Sequence, residues 1–231
     1  MKRLAVSLVV LLALLLVADR VGASLASSAV AAEVQSSTRL SSQPDVDVTG
    51  FPFLTQALAG RYDRVEVGAT DVPAGDLVLS RLDATLTGVQ LPLSDALSGS
   101  VDRVPVAAVQ ARALVGYSEL ARRSGDRQLT VAPAGDRVRV TGSVEVLGRT
   151  ISATAVSRVE VVEGDLVVTA EAYEVGNETA DDLLTRALGD RLDLRIPVTG
   201  LPYGLEVSGV EIEAAGVVVL ATAGETVLSA G

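Results

Sequence analysis

The stretch Arg137-Val138-Arg139-Val140-Thr141-Gly142-Ser143-Val144-Glu145-Val146 alternates apolar and polar residues almost without a break. Side chains of a strand point to opposite faces in turn, so Val138, Val140, Val144 and Val146 share one face with Gly142, while Arg137, Arg139, Thr141, Ser143 and Glu145 share the other. Leu147-Gly148-Arg149 reads as a turn. Ile151, Ala153, Ala155, Val159 and Val161 then alternate with Thr150, Ser152, Thr154, Arg158 and Glu160. After a second turn at Glu163-Gly164-Asp165, a third strand is expected to place Leu166, Val168, Ala170 and Ala172 inward and Val167, Thr169, Glu171 and Tyr173 outward. Three strands joined by tight turns make an antiparallel meander.

The same period extends in both directions. Val65, Val67 and Ala69 mark an earlier strand, and Leu82, Ala84 and Leu86 the inner face of a longer one over about 77–91, with Pro73-Ala74-Gly75-Asp76 as the turn between them. Beyond Pro202, Leu205 and Val207 alternate until the pattern slips at Gly209 to Val210 and Ile212, which predicts a bulge. A last strand is expected over 217–222. Helices are few. Thr179 and Asp182 approximate a capping box for a helix over 179–188, stopped by Gly189, with Leu184, Ala187 and Leu188 as its buried stripe. An alanine-rich helix is expected over 23–38, and short turns of helix at 94–98 and 118–123. The chemistry is that of a sheet-dominated α+β protein.

At the N-terminus, Lys2 and Arg3 precede an apolar run from Leu4 to Val17 broken only by Ser7. A helix of about fourteen residues spans about 21 Å, short of a bilayer core of about 30 Å. A cleaved export signal ending near Val21-Gly22-Ala23 is therefore favoured, with an uncleaved N-terminal anchor as the alternative. The organisation expected is residues 1–23 as signal or anchor and 24–231 as a single β-rich domain. Export to a periplasm or cell envelope follows from either form.

Composition narrows function further. Hydrophobic residues make up 48% of the 231 residues but aromatics only 3%, so a core must be assembled from Val, Leu and Ala. The chain has neither Cys nor His, which removes disulfides, thiolate or imidazole metal sites, and the Ser-His-Asp and Cys-His mechanisms. No metal and no cofactor is expected. The formal charge of −10 makes nucleic acid a poor partner and leaves apolar burial as the route to any lipid contact. The carboxylate groupings Asp45/Asp47, Asp181/Asp182 and Glu211/Glu213 are the only candidates for a glycan hydrolase, and they read better as wet strand faces and a helix start. No catalytic residue is assigned. Arg122, Arg123 and Arg127, with Arg137 and Arg139, form the one basic concentration, interleaved with Glu119, Asp126 and Asp136 as on a solvated turn.

Gly50-Phe51-Pro52-Phe53-Leu54-Thr55-Gln56 holds both phenylalanines of the chain and runs on to Gly60-Arg61-Tyr62-Asp63-Arg64. By itself it reads as a hydrophobic anchor pinning a loop to the sheet. Together with Leu201-Pro202-Tyr203-Gly204-Leu205 and the signal-like start, it resembles the actinobacterial exported family that includes lipomannan elongation factor A. The resemblance covers nearly the whole chain.

It implies a fold like the tubular lipid-binding proteins, with a strongly curved antiparallel sheet around a long N-terminal helix plus a second helix. It further implies a phospholipid or glycolipid partner, such as a phosphatidylinositol mannoside, and a supporting role in lipoglycan and envelope assembly. The lumen wall is then expected to include Phe51, Phe53, Leu54, Leu82, Leu86 and Val138. Val140, Ile151, Leu166, Val168, Leu184 and Leu188 complete it. Membrane association through the N-terminal segment accords with the apolar run. The competing readings are an envelope structural module with a filled core and the carboxylate-dependent hydrolase.

Overall fold

A computed structural model describes residues 2–38, 40–74, 77–98, 103–123, 129–146, 149–163, 165–175, 178–179, 194–196 and 201–229. In chain order its elements are α1 (Lys2–Thr38), β1 (Asp45–Thr49), α2 (Phe53–Ala59), β2 (Arg61–Ala74), β3 (Leu77–Gln90), α3 (Leu93–Ser98), β4 (Arg103–Val106) and β5 (Ala108–Gly116). They continue as α4 (Tyr117–Arg123), β6 (Thr130–Ala134), β7 (Arg137–Val146), β8 (Arg149–Val162), β9 (Asp165–Val175), β10 (Glu178–Thr179), β11 (Leu194–Ile196), β12 (Glu206–Ile212), β13 (Gly216–Ala223) and β14 (Thr226–Ser229). The sheets are antiparallel in every pairing described and remain open, and with the long N-terminal helix they place the chain in the expected α+β class.

Contacts divide the chain into two compact units. The first comprises Met1–Thr70, Asp83–Gln110 and Ala223–Gly231, and the second Asp71–Leu82 and Ala111–Thr222. One six-stranded sheet has the order β1-β2-β3-β5-β13-β12, another β10-β9-β8-β7-β6 with β11 also paired to β9, and β14 pairs with β4.

In the first unit α1 is a single helix, not the two segments expected on either side of Ala23. Nothing between them can break it, since no proline intervenes and one glycine costs only about 1 kcal/mol in a helix. Every described residue before Asp19 is exposed, whereas Asp19, Gly22, Ala23, Ala26, Ser27, Val30, Ala31 and Val34 form a partly or wholly buried stripe at helical spacing. Because most of these residues are small, β1 and α2 can approach the helix axis closely. Ser27 Oγ accepts a hydrogen bond from Val48 N at 3.1 Å, satisfying a donor that an edge strand would otherwise leave to solvent. Val46 and Val48, buried on β1, face Val67 and Val65 of β2 in register.

In the second unit the meander is present as expected. Val138 pairs with Ser157, Val140 with Ala155, Val159 with Val168, and Val161 with Leu166. The expected inward placement of Ala172 is not what the backbone gives. The β8–β9 register shifts between Val156 and Ser157, so that Tyr173, not Ala172, stands opposite Ala155. A bulge adds one unpaired residue and reverses every later assignment on its strand. The bulge expected on β12 is found between Val207 and Gly209. The turns of helix expected at 94–98 and 118–123 are α3 and α4. The helix expected over 179–188 lies outside the described residues apart from Thr179, which ends β10.

Candidate lipid-binding site

Within the second unit, strand register collects apolar residues on one face of the β6–β9 sheet. Val131 of β6 faces Val140, which faces Ala155, and Pro133 faces Val138. On β8 and β9 the same face carries Val159, Val161, Leu166, Val168 and Ala170. Only Val138, Ala155 and Ser157 are buried among these; Val131, Val140, Val159, Val161, Leu166, Val168 and Ala170 are half-buried. A run of aliphatic side chains left partly open across four neighbouring strands is the kind of patch that marks a binding surface.

The reverse face is charged and self-paired. Arg158 Nε meets Glu171 Oε1 at 2.7 Å, Arg137 Nη1 meets Glu171 Oε2 at 2.9 Å, and Arg158 Nη1 meets Glu160 Oε1 at 3.5 Å. The Thr141 and Thr154 hydroxyls lie 3.0 Å apart on that side. The sheet therefore has one wet face and one greasy one, as its alternation requires.

The other expected wall residues are distributed between the two units. Leu82 in the second unit and Leu86 in the first lie half-buried along β3. Phe53 is buried in the first unit, its ring 6.1 Å from that of Tyr62, and a Cβ at Gly22 of α1 would stand 3.4 Å from it. Leu54 is half-buried beside the same glycine, and Phe51 is exposed with the Arg20 guanidinium 5.1 Å from its ring centre. Ile151 is in β8, opposite Val144; Leu184 and Leu188 lie outside the described residues.

The phenylalanine motif itself is chiefly a folding device. Pro52 offers no side-chain cap to α2, and the carboxylate of Asp19, 2% exposed, accepts the hydrogen bond of Leu54 N at 2.9 Å instead. Gln56 Oε1 accepts from Asp63 N at 2.8 Å. Gly60 closes α2 in the left-handed conformation with φ 64°. The Asp19 contact has no local sequence signal, because its partner is 35 residues away in the chain.

A cavity of about 520 Å³ in the first unit lies between Ser24, Ser27 and Ala31 of α1 and β1. Its hydroxyls and the Asp45 and Asp47 carboxylates make it unsuited to an acyl chain. The Glu211/Glu213 pair is taken by one cation: Arg112 Nη2 lies 2.8 Å from Glu211 Oε2 and 3.1 Å from Glu213 Oε1. Those carboxylates, in turn, hold the Arg112 guanidinium above its ordinary value, the Glu211 hydrogen bond first. Arg122 of the basic group is likewise bound to Glu119.

Open antiparallel sheets together with a long N-terminal helix define a sheet-dominated α+β protein. The chain belongs to the LmeA-like phospholipid-binding family, whose model matches residues 17–222. Lipid binding is the general function that this membership carries. No curated protein matches the chain at a significant level.

Proposed function

We propose that this is an exported, noncatalytic cell-envelope protein that takes up the acyl chains of a phospholipid or phosphatidylinositol mannoside in an apolar lumen. By doing so it supports lipoglycan and envelope assembly. Val140, Leu166 and Val168, beside the buried Val138, form the part of the wall that carries the reading, because register sets them on a single face and all three are only partly covered. Leu82, Ile151, Leu184 and Leu188, which belong to the same second unit, are the further wall positions of the proposal.

Each acyl methylene removed from water contributes about 0.8 kcal/mol, so a chain of ordinary length binds firmly through apolar contact alone. The headgroup then needs little recognition, in keeping with an acidic protein of formal charge −10. The test is organic extraction of the purified protein followed by mass spectrometry. About one phospholipid or glycolipid per chain is expected; a protein that returns no stoichiometric lipid has a filled core and contradicts the proposal.

A further inference from the structure

Exposed apolar side chains of the first unit also gather at the corner where α1 meets α2. Asp19 is the first residue of α1 to be buried, and it is buried by capping α2. Phe51 is 57% exposed just ahead of α2 and Leu58 is 79% exposed near its end. Both sit on the segment that Asp19 and Gly22 hold against α1.

The exposed apolar positions of α1 do not stop at Val17. Val21 and Leu25 continue them, past the point where α2 docks. From Leu4 to Leu25 the helix extends about 32 Å at about 1.5 Å per residue. A bilayer core is about 30 Å thick. Of the two charges inside that length, the Asp19 carboxylate is covered by α2, with Oδ1 accepting from Leu54 N, and Arg20 lies over the Phe51 ring. Lys2 and Arg3 at the start orient such a helix with its N-terminus on the cytoplasmic side, which leaves α2 on the other.

We propose that α1 is retained and spans the membrane, and that Phe51 and Leu58 dock the α1–α2 corner into the outer lipid interface. The occupant is the bilayer itself. The observation that selects it is the continuity of these two side chains with an exposed helix, of mean hydropathy 2.5, that is long and apolar enough to cross a membrane. Removal of α1 at Ala23 would take away both Asp19 and Gly22 and leave the first turn of α2 uncapped. The inference is independent of whether the β6–β9 face holds a lipid.

The chain has no tryptophan, so single replacements report on single sites. Phe51→Trp, Leu58→Trp and, as a reference on α1 about 12 Å beyond Leu25 at about 1.5 Å per residue, Glu33→Trp would be made in the full chain. Each would be reconstituted into vesicles of equimolar phosphatidylcholine and phosphatidylglycerol carrying lipids brominated near the headgroup. The expected result is a blue shift and about twofold quenching at positions 51 and 58, with position 33 quenched much less, as for apolar side chains seated at the headgroup boundary. Three results overturn the proposal. They are quenching at neither 51 nor 58 in a chain that floats with the vesicles, equal quenching at all three positions, and a purified envelope form whose N-terminus begins after Ala23.

Discussion

Gly60 carries two constraints at once. Its φ of 64° is unfavourable for a residue with a Cβ, and a Cβ there would stand 2.9 Å from the Cα of Pro92. Gly60→Ala is expected to destabilise the protein by about 1–3 kcal/mol, read as a lowered midpoint of chemical denaturation. Asp19→Ala should cost about 1 kcal/mol on the same scale by leaving Leu54 N without its acceptor. Burial pushes the Tyr62 phenol above its ordinary value, and burial followed by the Glu213 charge does the same to Tyr117. A phenol raised in the folded state stabilises fully below its unfolded value of about 10, and that contribution is lost as the pH climbs through the folded value. Thermal melts of Tyr62→Phe should therefore fall less steeply than those of the parent above about pH 10, and match its pH dependence near neutrality. At this scale the sequence was informative about types more than partners. The Phe-Pro-Phe-Leu and Gly-Arg-Tyr motifs could be seen to matter, but the carboxylate that caps α2 comes from α1 and is invisible to any local pattern.

Elements with a strong period were readable, and those without one were not. β7, β8 and the first half of β9 follow from alternation alone, as does the slip on β12, where Gly209 interrupts an otherwise regular run. The β8–β9 bulge has no such marker: Glu171 and Ala172 continue the polar–apolar alternation through the shift. β1, β4, β5 and β14 are hard to see for other reasons. β1 is five residues of which two are Asp, β4 contains Pro105, β5 is rich in alanine, and β14 has only four residues. The helix over 23–38 was legible from composition, whereas its continuity with the apolar run follows only once the small-residue stripe is seen to pack. That packing makes a prediction about the edge of the sheet. Ser27→Ala deprives Val48 N of its acceptor, so hydrogen exchange at the Val48 amide should accelerate about tenfold, the rate that corresponds to about 1.4 kcal/mol of local protection. An unchanged rate would mean that β1 is held by β2 alone.

For the whole molecule, family membership gives lipid binding, and the sheet of the second unit is the surface proposed for it. Val140 and Val168 are half-buried rather than locked in a core, so Glu should be tolerated at either position by the fold and not by a bound acyl chain. The Val140→Glu, Val168→Glu double variant is expected to keep its circular dichroism spectrum and to lose at least about tenfold in affinity for a fluorescent phospholipid, because ionised carboxylates against hydrocarbon forfeit their hydration. Whether that face is open was not legible from the sequence, since alternation describes a filled and an open sheet equally well; the partial exposure along it is what supports the open reading. The most direct measurement is photocrosslinking with a phospholipid whose acyl chain bears a diazirine, followed by peptide mapping of the adducts. Adducts are expected to concentrate at Val140, Leu166 and Val168 and to be absent from the Arg137-Glu171-Arg158 face. Adducts confined to α1, or none on β7 and β9, would contradict it.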